Sequence, residues 1–147
     1  MSERMKLGQV AREGYRAVLD LEKYVRSNVD NKLLFLIQLR ASVLNGCAYC
    51  VDSHSHDLFE TGDSVQRVLG VSVWHEFPYF TPRERAAFAL TDAVTRLEEA
   101  GVPEDVWTKA QEFFTEKELA DLILAIGTIN VWNRIGVSTG MRPPLRK

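Results

Sequence analysis

Residues 31–56 read NKLLFLIQLRASVLNGCAYCVDSHSH, and this stretch decides the fold because it joins the most apolar segment of the chain to its cysteine pair. Between Leu33 and Leu44, only three polar side chains interrupt a run of apolar residues. A short buried strand has the same pattern, but the length favours a helix that is buried on most sides. We therefore predict a buried helix that begins near Asn31 or Lys32 and ends at Leu44.

The polar segment Asn45–His56 follows directly and contains both cysteines and two of the three histidines. Two residues separate Cys47 from Cys50, and at this spacing two thiols can form a disulfide and one thiol can become acidic. If the chain is helical from about Ala48, His54 shares a helix face with Cys50, four residues earlier. An imidazole and a helix N-terminus both favour a thiolate. The segment therefore predicts redox chemistry.

Two other roles fit the same residues. A free cysteine often packs as a small hydrophobe, but packing does not require the polar, histidine-rich turn that follows the pair. A zinc ion is the other alternative, because Cys47, Cys50 and His54 with His56 or His75 offer thiolate and imidazole ligands. Structural zinc sites usually draw a second ligand pair from elsewhere, and here only His75 lies outside the segment. We therefore favour redox chemistry and predict no metal ion and no cofactor.

The composition limits the class of partner. The 147 residues have a formal net charge of −2 with 26% charged side chains and no long run of one sign. Neither nucleic acid nor an anionic membrane is therefore an expected partner. The length fits one domain over residues 1–147. Because no apolar run approaches the length of a membrane span and Met1–Lys6 lacks an apolar signal core, we expect a soluble, cytoplasmic protein.

Helical periodicity and capping signals cover the rest of the chain, and no stretch shows the alternation of a half-buried strand. The clearest helix start is Thr81 with Glu84 three residues later, and Thr115 with Glu118 repeats this capping box. Asp63 with Gln66 offers a third. We predict an all-α, single-domain bundle of six to seven helices. The predicted helices cover about 7–26, 32–44, 48–60, 64–73, 82–99, 103–114 and 116–134.

Several segments resemble the alkylhydroperoxidase D-like proteins of the carboxymuconolactone decarboxylase family. The specific signature combines Leu39–Ser42, Asn45–Cys50 and His54. Thr81–Ala87 and Ile129–Arg134 resemble recurrent segments of the small single-domain members of this family. The resemblance covers nearly the whole chain, from about residue 15 to residue 144.

The resemblance implies an all-helical domain that assembles into trimers or hexamers and acts as a thiol-dependent peroxidase on hydrogen peroxide or organic hydroperoxides. By position, Cys50 corresponds to the peroxidatic cysteine and Cys47 to the resolving cysteine. His54 corresponds to the residue that holds or relays the proton of Cys50. The resulting disulfide would be reduced by a dithiol, in some relatives a lipoyl group on a partner protein.

Two positions depart from the family pattern. The family has a glutamate twelve residues before the first cysteine, where it serves the proton relay, and this chain has Phe35 there. The best-characterised peroxidases have a histidine between the cysteines, where this chain has Tyr49. General acid–base help is typically worth about 10²- to 10⁴-fold. We therefore expect slow peroxidase turnover that depends on His54, the helix start and an acid such as Asp52 or Asp57.

The missing glutamate also favours a second hypothesis, a redox-sensing or interaction module whose disulfide changes its assembly without efficient turnover. Gln38, one turn after Phe35, offers a hydrogen bond but no group that titrates near neutrality. Decarboxylation of a lactone is not expected, because the decarboxylating relatives generally lack the cysteine pair. We interpret His56 and His75 as solvated or hydrogen-bonded bystanders. Residues 130–134 fit either a subunit interface or the approach to the cysteines.

Overall fold

A computed structural model of the protein describes residues 2–147. In this range the protein is all-α, as predicted, and the only β-type pairing is an isolated bridge between Glu98 and Gly101. None of the described helices combines the length and the apolar character needed to cross a membrane. The helices are α1 Leu7–Val10, α2 Arg12–Asn28, α3 Asn31–Leu44, α4 Ala48–Glu60, α5 Val65–Gly70 with a 3₁₀ turn over Val71–Val73, α6 Pro82–Thr95, α7 Glu104–Phe113 and α8 Glu116–Thr139.

Helix α3 forms the centre of the bundle and packs against α4, α6 and α8. It begins where Asp30 accepts a hydrogen bond from the backbone N–H of Leu33 at 3.1 Å. Ten consecutive residues, from Leu33 to Ser42, are buried on all sides of the helix. The predicted buried helix is therefore confirmed. The turn that contains the first cysteine follows its C-terminal end, and both cysteines are buried.

The predicted capping boxes at Thr81 and Thr115 are both present, and each hydroxyl accepts a backbone hydrogen bond from the glutamate three residues later. A side-chain cap of this kind is worth about 1 kcal/mol. The third box was placed one residue too early. Ser64 caps α5, because the carboxylate of Asp63 instead accepts hydrogen bonds from the backbone N–H of Ser64 and from Nε of Arg67 at 2.8 Å.

Three predicted boundaries are wrong. The first helix is interrupted at Ala11, which adds a helix and gives eight α-helices in residues 2–147. Helix α6 ends at Thr95 instead of near residue 99, and the following Arg96 donates to the carbonyl of Leu44 at 3.2 Å. Helix α8 continues five residues beyond Arg134, to Thr139, because its last turns are buried against the cysteine turn.

Candidate active site

The turn Asn45-Gly46 joins α3 to α4 and places the cysteines at the N-terminus of α4. Gly46 has φ +65°, a left-handed conformation that glycine adopts without steric cost. The backbone N–H of Cys47 then donates to the carbonyl of Ser42 at 3.0 Å, which folds the turn back onto α3. The predicted helix start near Gly46 is confirmed, since α4 begins at Ala48.

Cys47 and Cys50 are joined by a disulfide in this structure, with their Cα atoms 5.3 Å apart. Cys47 is the N-cap of α4, and its sulfur accepts a 3.3 Å hydrogen bond from the backbone N–H of Cys50. Cys50 lies in the first turn of α4, where the positive end of the helix dipole stabilises a negatively charged sulfur. The cysteines are 1% and 5% exposed, so reagents reach the sulfur atoms only through the cavities beside them.

A polar network holds this turn against α8. The amide of Asn45 donates to the side-chain oxygens of Asn130 and Asn133, each at 2.9 Å. Asn133 in turn donates to the hydroxyl of Ser42 at 3.0 Å. Gly136 follows on the same helix, and a Cβ atom there would lie 2.9 Å from the sulfur of Cys47. Asn130 and Asn133 therefore support the cysteine turn from behind, a role that the sequence left open.

His54 lies on the buried face of α4 together with Cys50, as the i, i+4 spacing predicted, and is 7% exposed. Its Nδ1 atom is 3.2 Å from Oδ2 of Asp57, one turn further along the helix. This hydrogen bond, helped by the nearby charges of His54 and Arg26, lowers the pKa of Asp57 although burial opposes the shift. A carboxylate acceptor on Nδ1 leaves Nε2 as the nitrogen that can exchange a proton with Cys50.

A pocket of about 210 Å³ opens beside Cys50 and His54. Its walls are mostly apolar and include the aromatic rings of Tyr15 and Trp132, whose centroids are 5.3 Å apart in an edge-to-face arrangement. Tyr49, the residue between the cysteines, is 37% exposed and lies at the same wall. The pocket can therefore admit a small, partly apolar molecule to Cys50.

Glu22 of α2 is the carboxylate in this pocket that the sequence analysis missed. Three donors from three helices hold it: Nε of Arg26 at 2.8 Å, Nε2 of Gln38 at 3.1 Å and Nε1 of Trp132 at 3.3 Å. Gln38 is fully buried, and its Oε1 atom has no hydrogen-bond partner among the described residues. The amide of Gln38 therefore faces Glu22 with its donor end.

Phe35, where the resemblance leads us to expect a glutamate, has a side chain that cannot carry a proton. Its ring supports Arg26, whose guanidinium carbon is 5.2 Å from the ring centroid in a cation–π arrangement. Arg26 lies between two acids, because its Nε atom is 2.8 Å from Glu22 and its Nη2 atom is 3.7 Å from Asp57. The ring of Phe35 thus lies beside the Arg26–Glu22 pair, and both members of that pair line the pocket.

The remaining candidate residues lie apart from this arrangement. Asp52 accepts hydrogen bonds from Arg146, one of them at 2.9 Å, and both side chains are partly exposed. Nε2 of His56 is 3.4 Å from Glu60 on the outside of α4. Of the two acids considered for His54, the structure therefore selects Asp57.

The other bystander, His75, stacks on Trp74 with its Nε2 3.4 Å from Asp92. It does not belong to the residues that line the pocket beside Cys50. In residues 2–147, no group of three or more histidine, cysteine, aspartate or glutamate side chains is arranged to hold a metal ion.

A sequence signal for Glu22 did exist. It follows Val18 by four residues and precedes Val25 by three, so this acid interrupts the apolar stripe of α2. Gln38 likewise is an amide within the most apolar helix of the chain. A polar side chain at an apolar position needs a buried partner, but the sequence alone does not identify the partner.

Comparison with known proteins assigns the chain to a family. The model of the carboxymuconolactone decarboxylase family matches residues 12–93. The uncharacterized protein YdfG of Bacillus subtilis is 35% identical over 143 residues, which are 97% of each chain.

Solved structures show the same relationship. ATU0492 from Agrobacterium tumefaciens, a protein of unknown function named as a candidate antioxidant defence protein AhpD, has a TM-score of 0.95 and 38% identity, with 99% of this chain and 100% of that chain covered. A peroxidase-related protein from Ralstonia eutropha JMP134, described as an alkylhydroperoxidase AhpD core, has a TM-score of 0.83 at 22% identity, with 94% and 74% covered. At this identity the second likeness is one of fold. The chain belongs to the carboxymuconolactone decarboxylase family and has the alkylhydroperoxidase D-like fold.

Proposed function

We propose that the protein is a thiol-dependent peroxidase that reduces hydrogen peroxide or organic hydroperoxides through the Cys47–Cys50 disulfide. The observation that carries this proposal is the position of Cys50 and His54 in one pocket, with Asp57 bound to the imidazole and Cys47 bonded to Cys50. A nucleophile, a base and a residue that orients the base are the parts needed to activate a thiol.

In the reduced protein, His54 accepts the proton of Cys50, and the thiolate attacks one oxygen of the peroxide. The O–O bond breaks, the other oxygen leaves as water or an alcohol, and Cys50 becomes a sulfenic acid. The thiolate of Cys47 then attacks this sulfur and displaces hydroxide, which leaves as water, so that the disulfide forms. Two electrons have passed from the two thiols to the peroxide.

Glu22 takes the place of the relay glutamate that the family has at position 35. It lies in the same pocket as Cys50 and His54, and its three donors fix the carboxylate at one position. Such a carboxylate can receive a proton released at Cys50 and return it to the leaving oxygen. The apolar walls favour organic hydroperoxides over hydrogen peroxide as substrates.

The experiment measures peroxide consumption with dihydrolipoamide as the reductant. Cys50→Ser should abolish turnover, whereas Cys47→Ser should accumulate a sulfenic acid on Cys50 that dimedone traps. The Cys47→Ser variant also allows the alkylation rate of Cys50 to be followed against pH. An apparent pKa well below about 8.5 supports the proposal, and peroxidase activity that survives in Cys50→Ser contradicts it.

A redox-sensing module remains the second candidate, and the observation that favours it is Phe35 in place of the relay glutamate. In that function the disulfide changes the assembly of the protein without efficient turnover. Light scattering of the oxidised and the reduced protein distinguishes the two functions. Equal particle sizes together with rapid peroxide turnover exclude the sensor.

We also propose a homo-oligomer, a trimer or hexamer, in which copies of the chain cover the outer face of α8. Ile123, Leu124 and Val131 are about 40% exposed on this helix, and Leu97 beside it is 67% exposed. A helix that is apolar on its outer face as well as its inner face is usually covered by a partner. Val131→Glu should lower the particle mass in light scattering, and an unchanged mass contradicts this interface.

The proposed cycle needs a dithiol reductant, for which a lipoyl-type carrier protein is the proposed source. It also needs a compartment in which thiols are kept reduced, which favours the cytoplasm. Substrate and reductant are then the proposed partners, with no role for nucleic acid or a membrane.

A further inference from the structure

The two cysteines of the disulfide line different cavities. Cys50 lines the active-site pocket described above, whereas Cys47 lines a separate cavity of about 290 Å³, here called the Cys47 cavity. The wall of the Cys47 cavity is formed by residues near the N-terminus, by Gly46 and Ala48, and by the C-terminal end of α8. Met141 lies at the boundary and lines both cavities.

We propose that the Cys47 cavity admits the reductant, an alkyl dithiol, and that the thiolate of this dithiol attacks the sulfur of Cys47. The peroxide would reach Cys50 from the other side of the disulfide. This inference rests on the disulfide cycle proposed above and adds the site and the direction of its reductive half.

The chemistry of exchange favours attack on Cys47. A thiolate of the reductant forms a bond to the sulfur of Cys47, and the Cys47–Cys50 bond breaks with Cys50 as the leaving thiolate. The more acidic thiol leaves faster, and the dipole of α4 together with His54 favours the thiolate of Cys50. The second thiol of the reductant then attacks its own mixed disulfide and releases Cys47. The reductant becomes a cyclic disulfide, and its two electrons and two protons remain on the two cysteines.

The shape of the Cys47 cavity suits a narrow alkyl chain. Its lining is mostly apolar, and three of the lining residues, Gly46, Gly136 and Gly140, contribute no side chain to the walls. Gly136 lies against the sulfur of Cys47, because a Cβ atom there would be only 2.9 Å from it. The backbone of α8 therefore packs directly on this sulfur, so a thiol has to approach Cys47 from another side of the cavity.

The two cavities differ in the balance of their charges. Arg4 and Arg142 line the Cys47 cavity, and none of the described residues that line it is acidic. Nη1 of Arg4 donates to the carbonyl of Ser138 at 2.9 Å, which fixes this cation beside α8, while Arg142 is exposed. The active-site pocket instead contains the carboxylate of Glu22 paired with the guanidinium of Arg26. An anionic thiolate is therefore attracted more strongly to the Cys47 side, where no acidic residue of the lining offsets the two arginines.

A matched pair of tryptophan variants tests the direction of access. Ala48→Trp narrows the Cys47 cavity, and Leu19→Trp narrows the active-site pocket; both residues are exposed, so both variants should fold. The disulfide is first formed with diamide, and its reduction by dihydrolipoate is followed by quenching and alkylation. Oxidation of the reduced protein by cumene hydroperoxide is measured separately.

We expect Ala48→Trp to slow reduction by about 100-fold, since misplaced reacting atoms cost roughly that much, and to leave peroxide oxidation nearly unchanged. Leu19→Trp should slow the oxidation of the protein by cumene hydroperoxide and leave the reduction of the disulfide unchanged. An unchanged reduction rate in Ala48→Trp overturns the inference. If cumene hydroperoxide fails to oxidise the reduced wild-type protein, the proposed peroxidase function is wrong. The reduction experiment still shows whether the reductant enters through the Cys47 cavity.

Two further measurements test the attacked sulfur and the charge. Oxidised protein is treated with an excess of a monothiol and then with iodoacetamide, and fragment masses locate the adduct. The monothiol should be found on Cys47 and the alkyl group on Cys50; the reverse pattern overturns the inference. Arg142→Gln should slow disulfide reduction by the anionic dihydrolipoate more than reduction by the neutral dihydrolipoamide. Equal effects on both rates contradict an electrostatic role for Arg142.

Discussion

The candidate site around the cysteine pair is built from two groups of residues that differ in origin. The local group, Cys50, His54 and Asp57, lies within eight residues of one helix. The distant group, Glu22, Gln38, Trp132 and Gly136, comes from α2, α3 and α8. The local group contains the residues that we propose to react, while the distant group surrounds them with a carboxylate, its donors and the space for a disulfide. In the proposed mechanism the local group performs the chemistry and the distant group adjusts it.

The largest expected effect comes from the local group. His54→Gln keeps a side chain of similar size but removes the base, so peroxidase kcat/KM should fall by about 10²- to 10⁴-fold. The pH dependence of Cys50 alkylation in the Cys47→Ser background should then shift toward that of a free thiol, with the helix dipole as the remaining influence. A kcat/KM within a few-fold of wild type would show that the distant group can activate Cys50 without the imidazole of His54.

The next effect concerns Gly136 of the distant group. Gly136→Ala places a Cβ atom 2.9 Å from the sulfur of Cys47, and overpacking of this kind costs about 1–3 kcal/mol. The loss should be larger in the oxidised than in the reduced protein, because a free thiol can rotate away. Denaturant unfolding of both forms measures it. Gly14→Ala in α2, with no atom within 4 Å of the added carbon, is the control.

Glu22→Gln should have a smaller effect on activity, about tenfold in kcat/KM, at the lower end of what a proton relay contributes. The pH profile of Cys50 alkylation should shift with it, which a purely structural role would not cause. Adding Phe35→Glu to Glu22→Gln should restore part of the activity, since Arg26 lies between the two positions. Asp20→Asn, an exposed acid of the same helix, is the control. Equal losses of kcat/KM in Glu22→Gln and Asp20→Asn would contradict a specific role for Glu22.

The smallest effect is on stability and comes from Asp57. Its pKa is lowered in the folded protein below the ordinary value of 3.8. The carboxylate therefore stabilises the fold at pH values above 3.8, and this contribution is lost as the pH falls through the folded-state pKa. Asp57→Asn should cost less than about 1 kcal/mol at pH 7, because the group is partly solvated. Unfolding curves of the two proteins should converge below pH 3.8, and a gap that widens in acid would contradict the assignment.

Sequence reasoning was successful where the relevant contacts are short-range. The capping boxes at Thr81 and Thr115, the buried helix α3 and the shared face of Cys50 and His54 all follow from spacings of three or four residues. It failed at Asp63, where an arginine one turn away competes for the carboxylate, and at the end of α8. Long-range packing against the cysteine turn determines that end, and periodicity does not contain this information.

The sequence by itself determined the all-α class and the shared helix face of Cys50 and His54, since helix geometry fixes which residues within one helix meet, whereas the choice of Asp57 over Asp52 needed the structure. The tertiary structure alone decided that Glu22 enters the pocket, that Gln38 and Trp132 bind it, and that the two cysteines face different cavities. These contacts join positions 16 to 110 residues apart. They exist only because α2, α3 and α8 pack in one arrangement, and that arrangement results from burying apolar surface along all three helices at once.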